Sequence, residues 1–284
     1  MRIDMHTHTF PDSIAEKAVR SLQAGSHTAR FSDGTAAGLR ASSRQAELDL
    51  SVVLPVATAA RQVAHINSRA ALTREQEHIP GITSFGAAHP DDPDWRNELD
   101  KAAKAGLRGI KIHPPYQGVD IDDPRYLRIL ERAGELNLLV VTHAGLDIGL
   151  PGANHALPEK IRSALRQAGP VRLICAHMGG WRCWERVCDL LADTSVYLDT
   201  AFSLGQITPA GDGHPWQEEE LQMLNPEEFC RLVRAFGAER ILFGSDSPWA
   251  DQAAAVKALL QLPLTEAERS AILGGNAARL LGLS

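Results

Sequence analysis

Residues 138–143 read LLVVTH and residues 171–177 read VRLICAH, two nearly continuous apolar runs that each end on a histidine. A strand with one wet face alternates apolar and polar residues, so an unbroken run of this kind belongs to a strand covered on both sides, as in a parallel sheet clothed by helices. Working outward, six more β-rich runs are found: Arg2 to His6, Leu50 to Val56, Ile82 to Ala87, Gly109 to Ile112, Val196 to Asp199 and Ile241 to Ser245. Eight such runs alternating with amphipathic stretches predict an α/β fold of the (β/α)8, or TIM, barrel type. The 284 residues suit one barrel, whose usual length is about 250 residues. No internal repeat or low-complexity tract marks a boundary, so residues 1–284 are expected to form a single domain.

The connecting segments carry helical periodicity. Trp95, Leu99, Ala102 and Ala103 recur at helical spacing, and Leu127, Leu130, Gly134 and Leu136 mark a second inward face. The tail from Thr265 reads as a helix, a Gly-Gly break and a closing helix that starts near Asn276. Two connections are long: Gly25 to Arg44, and Ser203 to Glu220 with Pro209, Gly211, Gly213 and Pro215. Long loops in a compact domain tend to be lids or binding loops, and both are expected at the barrel mouth.

Composition narrows the function. The chain is 44% hydrophobic and 23% charged with a formal net charge of −6, and no Lys/Arg run offers the electrostatic footprint of a nucleic-acid binder. The opening MRIDMHTHTF is too polar for a signal segment, and no run approaches the roughly 18 apolar residues of a membrane span. A cytoplasmic protein without membrane or nucleic-acid partners is expected. Cys175, Cys183, Cys188 and Cys230 form no CxxC pair, so neither a zinc ribbon nor a disulfide scaffold is indicated.

The chemistry sits at strand ends. His6 and His8 are two residues apart at the end of the first strand, so both side chains leave one face and can converge on one divalent ion. Three more strands finish on a similar residue: THAG at His143, AHMGG at His177 and FGSDSPW at Asp246. In a closed barrel the carboxyl ends of all strands form one rim, where active sites are built, and closure makes the last strand the neighbour of the first. Lys111 in GIKIHPP points to the same rim; it reads as a free ammonium that binds an anionic substrate group, with a carbamylated bridge between two metals as the alternative. His113 reads as pocket-lining rather than as a ligand. Trp181, Arg182 and Trp249 follow directly and can supply apolar walls and an anion contact. His27, His65, His78, His89, His155 and His214 lack partner spacing, and only His89 follows a strand.

As an ordered set, MHTHTFP, GIKIHP, THAG, AHMGG, FGSDSPW and GGNAARLLG resemble the amidohydrolase superfamily, in particular the branch typified by aminocarboxymuconate-semialdehyde decarboxylase. The resemblance spans the whole chain. It implies a (β/α)8 barrel that binds one divalent ion, zinc first and manganese second, through His6, His8, His143 and Asp246. His177 then corresponds to a catalytic histidine off the metal. The branch holds hydrolases, hydratases and decarboxylases on a nearly identical metal constellation, so fold and metal do not choose the reaction.

Such an ion lowers the pKa of bound water from about 15.7 toward about 7, and His177 can serve as base and then acid near neutral pH. Asp246 would both ligate and orient the water. Sequence alone puts hydrolysis of a small, carboxylate-bearing molecule first, nonoxidative decarboxylation second and an idle metal-binding barrel third. A small anionic substrate is the expected partner, and a homodimer is the assembly to test.

Overall fold

The computed structural model of the protein describes residues 1–75 and 80–283. Nine strand segments are present among them: β1 (Ile3–Thr7), β2 (Leu50–Val53), β3 (Ile82–Ser84), β4 (Gly86–Ala87), β5 (Gly109–Ile112), β6 (Leu139–Thr142), β7 (Arg172–Cys175), β8 (Tyr197–Asp199) and β9 (Ile241–Leu242). The chain divides into two compact units, neither of them a contiguous stretch. The first comprises Met1–Val52, Ile148–Leu150 and the chain from Asp199 onward; the second comprises Val53–Asp147 and Pro151–Leu198.

In the second unit β4, β5, β6, β7 and β8 pair in parallel and in chain order, Ile110 on Val140 and Val140 on Leu173. The LLVVTH and VRLICAH runs are therefore the two-sided strands that their composition predicts. Leu139, Val140 and Leu173 are fully buried, and each such side chain contributes about 1.5–3 kcal/mol relative to exposure. The expected strand Ile82 to Ala87 is split at Phe85, because its two halves serve different neighbours. β3 pairs with β2, whereas β4 pairs with β5 and the Ala87 amide donates to the Asn67 side chain. The helix Pro124–Glu135, capped by the Asp123 carboxylate, buries Tyr126, Ile129, Leu130 and Ala133. The face is turned about one residue from the one expected, because Tyr126 goes inward to meet Gln117 while Leu127 and Gly134 are only half-buried.

In the first unit β1 lies beside the end of the chain: Met5 N donates to Phe243 O, Asp246 N to His6 O and His8 N to Ser247 O, with a parallel bridge between Thr7 and Ser247. First and last strands are thus neighbours, as closure requires. The segment Gly25 to Arg44 is not all loop, since Ala36–Gln45 forms a helix with Thr35 accepting from Gly38 N and Leu39 and Ser43 turned inward. The rest of that segment meets the strand exits: Phe10 N donates to Gly34 O and Phe31 N to Pro248 O. It also pairs with the second long connection through the Thr28–Pro209 bridge.

The closing segment forms helices Glu266–Ser270 and Asn276–Leu281 around a wide turn at Ala271–Gly275. A Cβ on Gly274 would lie 2.2 Å from Met1 O, so the Gly-Gly break lets this turn pass against the start of β1. Asn276 ties it to β9 by donating to Ala238 O and Ile241 O. No helix is long and apolar enough to cross a membrane among the described residues.

Candidate active site

The first unit gathers His6, His8 and Asp246 at the exits of β1 and β9. His6 Nδ1 stands 2.8 Å from Asp199 Oδ2, both side chains 1% exposed. A carboxylate accepts, so Nδ1 carries the proton and Nε2 presents a lone pair. That Nε2 lies 3.2 Å from His8 Nε2 and 3.4 Å from Asp246 Oδ1, and His8 Nε2 lies 3.0 Å from the same oxygen. Two imidazole nitrogens about 2.0–2.1 Å from a tetrahedral ion would stand about 3.3–3.4 Å apart. The triangle therefore fits a borderline divalent ion with side-chain shifts of a few tenths of an ångström. A lone pair facing a carboxylate oxygen at 3.4 Å is reconciled by a cation between them.

The backbone beneath this triangle is held by Asp4. Its Oδ1 accepts from His6 N and Ser245 N, and its Oδ2 from Gln252 Nε2. Burial pushes the Asp4 carboxyl up to about 6, against the lowering effect of these hydrogen bonds. Asp246 itself is in the left-handed region, φ 71°, a conformation that non-glycine residues adopt at a cost of order 1–3 kcal/mol and that clusters at functional sites.

The second unit holds the other expected groups. His113 and His143 each follow the last registered pair of β5 and β6, Ile112 on Thr142, and their rings stack at 4.5 Å. His177 follows β7 with φ 59° and its ring centroid lies 4.8 Å from that of His143. His143 Nε2 is 2.9 Å from Leu146 O; a carbonyl only accepts, so Nε2 donates and Nδ1 is the nitrogen able to ligate. Asp147 Oδ2 lies 3.8 Å from that Nδ1 and 3.6 Å from His113 Nε2. Lys111 is 1% exposed, and a buried ammonium is retained only in polar or anionic company. Trp181 is buried, with the Arg182 guanidinium 4.9 Å from its ring centroid. Gly145 permits this arrangement: a Cβ there would lie 2.2 Å from Trp181 N.

Of the expected site residues, His6, His8 and Asp246 are brought together, with Trp249 one turn on, its N–H donating to Asp246 O. His143, His177, Lys111, Trp181 and Arg182 belong to the second unit. Asp199, Asp4 and Asp147 make contacts that the motifs do not announce: Asp4 stands two residues before His6 and Asp147 four after His143, both just outside MHTHTFP and THAG, and Asp199 has no ligand type near it in sequence. Among the remaining histidines, His27 pairs with Asp212 at 2.8 Å and stacks on His214, and His155 pairs with Asp120 at 2.7 Å. These are surface contacts between loops. His78 lies outside the described residues.

The whole fold has solved counterparts. 5-Carboxyvanillate decarboxylase from Sphingomonas paucimobilis superposes with a TM-score of 0.70 at 16% identity, over 99% of this chain and 98% of that one. A TIM-barrel protein from Bordetella bronchiseptica gives 0.74 at 15% identity, over 99% and 98%. A dihydroxybenzoic acid decarboxylase from a Polaromonas species, with bound manganese and 2-nitroresorcinol, gives 0.67 at 15% identity, over 99% and 97%. These likenesses identify the fold as the (β/α)8 barrel expected from the strand pattern. No curated protein matches the sequence. The family model described as Amidohydrolase matches residues 3–283, nearly the entire chain, and the protein belongs to the amidohydrolase family.

Proposed function

We propose that the protein is a metal-dependent carboxy-lyase that removes CO2 from a small aromatic acid without an external oxidant. Sequence alone ranks hydrolysis above decarboxylation; that order is reversed here. What supports the reversal is that several whole-chain structural neighbours are decarboxylases of substituted benzoates. Two of the neighbours hold manganese, so manganese joins zinc as the metal to test first.

His6, His8 and Asp246 hold the ion in this reading, and His143 is its proposed fourth ligand through Nδ1. The donor set of imidazoles and one carboxylate suits either zinc or manganese. The ion supplies a Lewis acid that orients the substrate's oxygen substituents and stabilises negative charge. Lys111 and Arg182 bind the carboxylate, one as a point charge and the other as a planar fork. Trp181 and Trp249 flank the ring. His177 delivers a proton to the ring carbon that carries the carboxylate; the bond from that carbon to the carboxylate then breaks, CO2 leaves, and its electron pair restores the ring. A histidine suits the task because its ordinary pKa lies near 6.5.

The test is CO2 release and product formation from a panel of hydroxybenzoates by protein loaded with manganese or with zinc. Release of one CO2 per arene formed is the expected outcome. Hydrolysis of amides, esters or lactones with no CO2 from any acid would return the protein to the hydrolase reading.

A further inference from the structure

Next to the His6, His8 and Asp246 triangle lies a buried polar network that the proposed chemistry does not use. Its centre is the pair Asp4 and Gln252, both 0% exposed and 248 positions apart. Gln252 opens the helix Gln252–Leu260, and its Nε2 donates to Asp4 Oδ2 at 2.7 Å and to Ser51 Oγ at 3.3 Å. Its Oε1 accepts from Ser43 Oγ at 3.2 Å, and the Ser43 and Ser51 hydroxyls meet at 2.9 Å. A carboxylate only accepts, so the nitrogen end of the amide faces Asp4. The network joins β1, β2, the helix Ala36–Gln45 and the chain that follows Asp246, all within the first unit.

The other oxygen of Asp4 reaches the ligands. Oδ1 accepts from His6 N at 3.1 Å and from Ser245 N at 3.0 Å; one amide belongs to a ligand and the other directly precedes Asp246. β9 itself ends at Leu242, and side-chain acceptors take over beyond it: Thr200 Oγ1 receives Gly244 N, and Asp4 Oδ1 receives Ser245 N. Asp246 then stands at φ 71°, a conformation that persists only where the surroundings over-determine it. A carboxylate free to swing would let the Ser245 amide shift, and with it Asp246 Oδ1, which lies 3.4 Å from His6 Nε2. Gln252 holds the far oxygen of Asp4 and removes that freedom.

We propose that Gln252, acting through Asp4, is a positioning residue for the metal site: it fixes the spacing between the His6 and Asp246 ligand atoms. The role rests on the metal-dependent reading above, in which His6, His8 and Asp246 are ligands. Ligands already held in place bind an ion more tightly, because less ordering remains to be done on binding. Groups that orient ligands from behind contribute about 10–100-fold in metal affinity. Gln252 acts through one intermediate side chain, so the lower end of that range, about tenfold, is expected on its removal.

The experiment measures zinc affinity of the full-length protein by chelator competition. The visible spectrum of the cobalt(II)-loaded protein reports ligand geometry, and circular dichroism and thermal melting of the metal-free form report the fold. Gln252→Leu is expected to weaken zinc binding by about tenfold and to alter the cobalt spectrum. In the double variant Asp4→Asn with Gln252→Glu, amide and carboxylate exchange places, so the hydrogen bond between them can re-form and affinity is expected to return toward wild type. Gln252→Asn, one carbon shorter, withdraws the amide from Asp4 and takes the place of Gln252→Leu if that variant does not fold. Wild-type affinity and an unchanged cobalt spectrum in a folded Gln252 variant would make the residue purely structural and overturn the proposal. A weakened single variant that the folded double variant does not recover would overturn it too. His8→Ala tests the metal reading separately: zinc binding lost there but unchanged in the Gln252 variant removes the positioning role alone, whereas a wild-type protein that binds no zinc removes both.

Discussion

His6 Nδ1 and Asp199 Oδ2 meet at 2.8 Å with both side chains sealed from solvent. The carboxylate fixes which nitrogen of His6 is a lone pair and aims it at His8 and Asp246. Replacing Asp199 by Asn leaves volume and packing almost unchanged but removes the charge that favours the Nδ1–H tautomer. Carboxylate partners of ligating histidines contribute about 10–100-fold in metal affinity. Asp199→Asn is therefore expected to weaken zinc binding by about that factor while its thermal melting in the metal-free form stays close to wild type. An unchanged dissociation constant would show that Asp199 is only structural.

A second expectation concerns His177, which follows β7 in a left-handed conformation beside His143. If it moves the proton while staying off the ion, His177→Asn retains metal and loses turnover. The loss expected for removing a positioned acid or base is about 10²–10⁴-fold. Measuring both metal content and CO2 release separates the roles: loss of the ion along with activity would make His177 a ligand instead.

The parts of the site visible in the sequence are those with local spacing or a strand end to mark them. His6 and His8 sit two apart on one strand, and Asp246 ends the run that closes on it. Asp199 ends a run in the same way, but VYLDT has no second ligand nearby, so nothing in the sequence distinguishes it from an ordinary strand-end acid. Its partner is 193 positions away. His113 reads as pocket-lining because its relation to Asp147 depends on the β5–β6 register, which a sequence does not display. The fold is read better than its boundaries. The split at Phe85 follows from which neighbour each half-strand pairs with, and the Ala36–Gln45 helix is masked by Gly38 and its serines, all poor helix formers.

Gly145 offers a stability prediction independent of metal. Its φ is 89°, and an added Cβ would lie 2.2 and 2.4 Å from the Trp181 backbone N and O. Those atoms are also paired across the turn, Trp181 N with Ala144 O and Leu146 N with Trp181 O. Backbone cannot rotate away as a side chain can, so Gly145→Ala must spread the exits of β6 and β7. A loss of about 3 kcal/mol or more is expected from strain of this kind, read as a lowered midpoint in urea. A variant as stable as wild type would mean that the turn is far softer than this packing indicates.

Gln117 holds three strand exits of the second unit at once. Its Nε2 donates to Ala57 O and Ala88 O, and its Oε1 accepts from His113 N and from the Tyr126 hydroxyl. Gln117→Leu keeps the volume and strands these buried groups without partners, each at about 1–3 kcal/mol. A loss of several kcal/mol is expected, with Tyr126→Phe costing less because only one bond is removed. Equal effects of the two variants in chemical denaturation would contradict the hub.

His89 gives the pH dependence a sign. Burial is the chief reason that its imidazole is held below the usual histidine range, with Asp91 and Asp92 opposing. Nδ1 accepts from Asp91 N at 3.1 Å, which suits the neutral ring. The unfolded chain takes up its proton near pH 6.5, before the folded one does. Between those two points the unfolded state binds more protons, so stability falls as pH drops below about 6.5 and levels off once folded His89 is charged as well. His89→Asn, whose side-chain oxygen can still accept from Asp91 N, removes this component and keeps the others. Urea midpoints at pH 7.5 and 5.5 should therefore differ less in the variant than in wild type. Parallel pH profiles would mean that His89 titrates alike in both states and that its burial exerts no net effect.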